Sequence, residues 1–215
     1  ESLSLTASAT GIVTGSYDTT SSSLADAIQL ATGLYHNCAL VNGKVKCWGE
    51  GGSGRLGDGL NSSANVPVQV SGMLSQVTAI SAQNYAGYTC AINSDGALKC
   101  WGYNVYGQLG DGSTTDRLTP VQVSGYTSGV TAVSANTYTT CVIRGGAVYC
   151  WGYGGFYQLG LNNAGANTSV PGATVAGLTS GVTSIAVGVY HACAVQNGSA
   201  KCWGKDSDGG SSWTG

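Results

Sequence analysis

The chain has 215 residues, of which only 8% are charged, and a formal net charge of −2. Its eight Lys and Arg residues are scattered, which excludes the clustered cationic surface that nucleic acids require. No apolar run approaches the 18 or so residues of a membrane span, and 35 glycines among many β-branched residues argue against a helical fold.

Two short apolar stretches come first, Gly11-Ile12-Val13-Thr14-Gly15 and Asp26-Ala27-Ile28-Gln29-Leu30. They precede Cys38 and Cys47, whose midpoint is Asn42-Gly43. Asn-Gly is the preferred dipeptide of a two-residue type I′ hairpin turn. Counting outward from it, Val41 faces Lys44, Leu40 faces Val45, Ala39 faces Lys46 and Cys38 faces Cys47. Pairs alternate between hydrogen-bonded and non-hydrogen-bonded, and the cysteines fall on the second kind. Their Cα atoms then approach to about 4.5 Å, inside the roughly 4.4–6.8 Å range of a disulfide.

The same order recurs three times. Val66-Pro67-Val68-Gln69-Val70 and Val77-Thr78-Ala79-Ile80 lead into Cys90 and Cys100, centred on Ser94-Asp95-Gly96, a three-residue turn with glycine at positive φ. Pro120-Val121-Gln122-Val123 and Val130-Thr131-Ala132-Val133 lead into Cys141 and Cys150 around Gly145-Gly146. Thr174-Val175-Ala176-Gly177 and Val182-Thr183-Ser184-Ile185 lead into Cys193 and Cys202 around Asn197-Gly198. The spacing predicts disulfides Cys38–Cys47, Cys90–Cys100, Cys141–Cys150 and Cys193–Cys202. Paired cysteines indicate an oxidising compartment, so an extracellular or cell-surface location is expected, with Glu1 a processed or trimmed start. The spacing lacks the Cys-x2-Cys knuckle of a zinc site, and no metal or cofactor is expected.

Each unit reads as four short strands in about 50 residues, the pattern of a propeller blade. The expected fold is all-β: a single propeller, or segment of one, over residues 1–215. Its four-stranded antiparallel blades come from repeats at approximately 11–60, 61–112, 113–165 and 166–215. Trp48, Trp101, Trp151 and Trp203 follow the second cysteine of each pair and are expected to pack between blades. Trp213 stands outside the pattern, as a terminal docking residue or an exposed one. The end copies keep Cys38-Ala39-Leu40 and Cys193-Ala194-Val195 without a polar cap. Association with another copy, or with further blades, is therefore expected over a four-bladed ring.

With these residues in view, the chain resembles a known family. His36-Asn37-Cys38-Ala39-Leu40, Lys46-Cys47-Trp48-Gly49 and Gly54-Arg55-Leu56-Gly57-Asp58-Gly59 are similar to the repeat of the regulator of chromosome condensation. Lys99-Cys100-Trp101-Gly102-Tyr103-Asn104 followed by Gly107-Gln108-Leu109-Gly110-Asp111-Gly112 is closer still. The resemblance implies a β-propeller, usually of seven blades. Four repeats and eight cysteines depart from the nuclear members and look like a secreted bacterial branch, so nucleotide exchange on a small GTPase is not carried over.

Candidate chemistry is sparse. The only histidines, His36 and His191, precede the first cysteine of a repeat by two positions, where packing explains them. Asp58 and Asp111 recur in an Asp-Gly turn. Asp206-Ser207-Asp208-Gly209 begins like a calcium loop, but a ligand at loop position 12 would fall beyond Gly215. Sequons stand at Asn61, Asn167 and Asn197. No nucleophile–base pair or paired carboxylate suggests an enzyme.

More informative are Tyr103, Tyr106, Tyr153, Phe156 and Tyr157, which follow the last strand of their blades, with Arg55 and Arg117 in or after the corresponding loops. Aromatics with Arg are what contact surfaces use. The expected role is a secreted, non-enzymatic interaction or structural module, an assembly subunit or adhesin, with a protein partner or self-association. A secreted inhibitor of a target enzyme and a carbohydrate-binding propeller are the alternatives.

Overall fold

The structure, a computed structural model, describes residues 24, 26–73, 76–83, 86–161 and 165–205. Asp206–Gly209, Trp213 and the stretch from Gly11 to Gly15 lie outside them. The first sheet is built in order from β1 (Ala27–Thr32), β2 (His36–Val41), β3 (Lys44–Gly49) and β4 (Ala64–Gln69). The second is β5 (Val77–Ser81), β6 (Tyr88–Asn93), β7 (Leu98–Gly102) and β8 (Arg117–Gln122). The third contains β9 (Val130–Asn136), β10 (Thr139–Arg144) and β11 (Ala147–Gly152). Single bridges from Tyr149 to Thr174 and from Gly152 to Thr168 extend its outer edge. The fourth is β12 (Val182–Val187), β13 (His191–Gln196) and β14 (Ser199–Gly204).

The hairpins form as the spacing predicts. Asn42 and Gly43, Gly145 and Gly146, and Asn197 and Gly198 all take positive φ, as a type I′ turn demands. Each first cysteine faces its partner across the hairpin. All four disulfides close with Cα atoms 4.0–4.2 Å apart.

Sheets and sequence repeats are out of phase. Proximity in sequence groups Val66–Val70 with Val77–Ile80, yet β4 pairs with β3 of the preceding hairpin and β5 opens a new sheet. Glycines at positive φ, Gly72, Gly125 and Gly177, turn the chain between the two strands and send it to the next blade.

Successive sheets stack through three apolar cores. At each of these three joints the cysteine-bearing face of one hairpin meets the tryptophan-bearing face of the next sheet. Trp101, Trp151 and Trp203 are buried, and their indole N–H groups donate to the carbonyls of Arg55 (3.0 Å), Gln108 (3.0 Å) and Gln158 (2.8 Å). The Leu-Gly pair after each acceptor follows from this contact. Gly57, Gly110 and Gly160 have positive φ and lie so close to the indole that a Cβ would strike it. A second link joins the opposite ends of the sheets: Val77, Val130 and Val182 donate to the turn glycines Gly43, Gly96 and Gly146 at 2.9–3.0 Å.

Trp48 departs from the expectation. It is only half-buried, because among the described residues no sheet precedes it, and no core joins the fourth sheet to the first.

Candidate functional site: an aromatic rim

The loops entering each second strand and leaving each third strand gather on one rim. Backbone hydrogen bonds tie them in equivalent pairs: Glu50 N–H to Tyr35 carbonyl (2.8 Å), Tyr103 to Gly87 (3.0 Å), Tyr153 to Tyr138 (2.8 Å) and Lys205 to Tyr190 (2.9 Å). Tyr106 and Phe156 sit three residues further along, their N–H groups held by the side-chain carbonyls of Gln108 (3.0 Å) and Gln158 (2.8 Å).

The rings touch one another across blades. Tyr103 lies 6.1 Å from Tyr138, Tyr138 is 4.7 Å from Tyr106, and Tyr106 is 4.9 Å from Tyr153. The row continues from Tyr153 to Phe156 (5.9 Å) and from Phe156 to Tyr190 (4.7 Å). Each end carries a cation. Lys205 Nζ stands 5.0 Å from the Phe156 ring and 5.5 Å from that of Tyr190. Arg55 lies 6.0 Å from the Tyr35 ring and 3.0 Å from the Glu50 carboxylate. Gly87 makes room for it: a Cβ there would come within 3.2 Å of both Arg55 Nε and Tyr103 Cβ.

Burial raises the hydroxyl pKa of Tyr103, and Tyr138, Tyr106 and Asp116 add to that, against the pull of Arg55. The Tyr103 phenol therefore stays neutral, and the tyrosines of the rim offer hydroxyl groups together with apolar ring edges.

Of the residues singled out in the sequence, Tyr103, Tyr106, Tyr153 and Phe156 come together, with Arg55 at their margin. Arg117 does another job. It pairs with Asp111 at 2.6–2.7 Å, inside a loop also held by the Asn104 amide. Desolvation opposes ionisation of Asp111, but hydrogen bonds from Ser113 and Arg117 win and lower its pKa. Tyr157 is exposed, at positive φ, and takes no part in the ring contacts. Tyr35, Tyr138 and Tyr190 escaped the sequence reading, although a tyrosine one residue before the hairpin in three of four copies was a visible signal.

His36 is buried between the first two sheets, its Nε2 2.8 Å from Thr89 Oγ1. His191 is exposed. Asp58 and Asp111 accept the N–H groups of Leu60 and Ser113 two residues on (3.0 and 2.9 Å), the turn chemistry expected of them. Among the described residues no three His, Cys, Asp or Glu side chains group as metal ligands, and no helix is long and apolar enough to cross a membrane. A groove of about 290 Å³ beside β1, β5 and β9 is lined by Gln29, Thr32, Ser81, Gln83 and apolar neighbours, with no ionisable group.

Comparison with known proteins agrees with this architecture. The model of the regulator of chromosome condensation (RCC1) repeat matches residues 42–90, 95–143 and 145–195. Ultraviolet-B receptor UVR8 of Arabidopsis thaliana is 36% identical over 100 residues, covering 45% of this chain and 22% of that protein. Human WBSCR16 superposes with a TM-score of 0.72 at 28% identity, over 85% of this chain and 48% of its own. Prp20p of Saccharomyces cerevisiae, described with its binding to Gsp1p and histones, gives 0.69 at 22% identity, over 83% and 45%. That last likeness is one of fold alone. The chain spans about half or less of the length of these relatives.

Proposed function

The chain belongs to the regulator of chromosome condensation (RCC1) repeat family, and on that premise we propose that it is a non-enzymatic protein-interaction module that grips its partner with the aromatic rim. One observation carries the reading: six rings in unbroken contact, from Tyr103 to Tyr190, bounded by Arg55 and Lys205. Tyrosine at the centre of a contact surface supplies large buried area at low cost in side-chain entropy. Neighbouring rings in this row meet at 50–69°, so edges alternate with faces. That texture suits a protein surface better than the flat stacking platform a sugar uses. Four disulfides fit an oxidising environment, which supports a role in the extracellular space or at the cell surface.

A photo-crosslinking residue at Tyr106, compared with one at Asn42 on the opposite rim, tests the reading. Partner adducts are expected from Tyr106 alone. Tyr106→Ala with Tyr138→Ala should weaken the captured complex by about 2–4 kcal/mol, as at other aromatic hot spots, with the disulfides and melting temperature retained. Adducts from Asn42, or affinity that survives the double substitution, would refute it. Glycan binding lost with Tyr106→Ala would transfer the rim to the carbohydrate reading.

A further inference from the structure

One recurrent clamp holds the outer edge of each of the first three blades. Val70 N–H donates to the Val45 carbonyl (2.9 Å), and Val45 N–H donates to the Met73 carbonyl (3.4 Å). Val123, Leu98 and Tyr126 repeat this at 3.0 Å in both bonds, and Val175, Val148 and Leu178 at 2.8 and 2.9 Å. Each clamp is a valine, a small residue and a glycine: Val70-Ser71-Gly72, Val123-Ser124-Gly125 and Val175-Ala176-Gly177.

In the fourth blade Ala200 holds the clamped place. It forms a pair with Val195 of the non-hydrogen-bonded kind, so its own N–H and C=O point to the outer edge of β14. Neither has a partner there among the described residues. The sequence carries a fourth valine–small–glycine triplet, Val13-Thr14-Gly15, ahead of β1.

The end faces match as well. His36 reaches Thr89 in the next sheet, and Tyr88 reaches Thr140. His191, at the same position, is exposed on the fourth sheet, and Asn37 holds the Thr89 position on the first. The four sheets superpose on 48% of the length of human WBSCR16, so two copies span about the length of one such chain.

We propose that two copies of this chain pair head to tail, each laying the segment around Val13-Thr14-Gly15 along β14 of the other. Strand addition of this kind draws its affinity from main-chain hydrogen bonds. Val13 N–H donates to the Ala200 carbonyl and Ala200 N–H to the Ser16 carbonyl. Ser16 stands where Met73, Tyr126 and Leu178 stand in the other blades, a tolerable change because the bond uses the backbone. The same contact lays the fourth sheet of one copy on the first sheet of its partner and covers Trp48 and His191.

Light scattering on the purified chain, with Ala200→Pro as the probe, tests the pairing. Proline removes only the outward N–H, which an edge strand tolerates, so the hairpin and its disulfide stay. The expected mass is twice 21.5 kDa for the parent, falling to 21.5 kDa in Ala200→Pro with at least a hundredfold loss of affinity. Ala200→Val, which restores the residue type of Val45 and Val148, should keep the pair. Val13→Asp, remote from the hairpin, should dissociate it equally and covers the case in which the proline variant misfolds. A parent that stays at 21.5 kDa at all concentrations, whether or not its Ala200 amide is protected from hydrogen exchange, would overturn the proposal. So would a dimer indifferent to both Ala200→Pro and Val13→Asp.

Discussion

His36 and His191 occupy one position of the repeat and meet opposite surroundings, the first sealed between two sheets and the second in solvent. The cysteines divide the same way. Cys141 and Cys150 are fully buried, whereas Cys193 and Cys202 are partly exposed. At the other end, Trp151 is sealed and hydrogen-bonded while Trp48 is half-open. Residue type is constant across these pairs, so only the neighbouring sheet makes the difference. Stability in this array therefore resides in the joints between blades, as in other repeat proteins.

The largest contrast should come from the tryptophans. Trp151→Ala is expected to cost about 3–5 kcal/mol, as for other buried large aromatics. Trp48→Ala, measured in dilute protein with subunits apart, should cost about 1–2 kcal/mol. Denaturant unfolding with disulfides intact measures both, and equal losses would erase the distinction between joint and end.

Acid should separate the histidines. Burial, with a smaller contribution from Arg55, lowers the His36 pKa from 6.5 to about 4. The unfolded chain then binds the extra proton first. Stability is full above pH 6.5, falls as pH drops through the window from 6.5 to about 4, and levels off below it. The loss amounts to about 3 kcal/mol. His36→Gln should flatten that slope in a pH series of unfolding curves, and His191→Gln should leave it in place. A slope that survives His36→Gln would contradict the buried neutral imidazole.

The disulfides give the smallest and cleanest contrast. Cys141–Cys150 and Cys193–Cys202 close loops of the same separation, nine residues, so the chain-entropy contribution is about 2.5 kcal/mol in each. Replacing both cysteines by alanine at the buried pair should cost about 1–2 kcal/mol more than at the end pair, through the cavity left in the core. Calorimetry on the two double variants reads the difference.

Much of this was legible in the sequence, for physical reasons. A two-residue turn fixes register, so Asn42-Gly43 alone placed Cys38 opposite Cys47. The indole of Trp101 could be assigned to a joint because Cys-Trp recurs with the hairpin. The partner of β4 could not be read. Val66–Val70 lies closer in sequence to β5 than to β3, and only the reversal at Gly72 shows which sheet it joins. The rim was half visible: Tyr103, Tyr106, Tyr153 and Phe156 follow their strands, but Tyr138 and Tyr190 reach the row through a pairing between distant loops. Arg117 looked like a rim cation and proved to be the counter-ion of Asp111, a contact six residues long within one loop.

Indole hydrogen exchange tests the contrast between joints and ends most directly. In isotope-labelled protein, the ring N–H groups of Trp101, Trp151 and Trp203 should exchange slowly at every concentration, because each is bonded to a carbonyl of the preceding blade. That of Trp48 should exchange freely in dilute protein and slow as concentration rises. A Trp48 indole protected as strongly as Trp151 at high dilution would mean that one chain covers its own first sheet, and would contradict the open array.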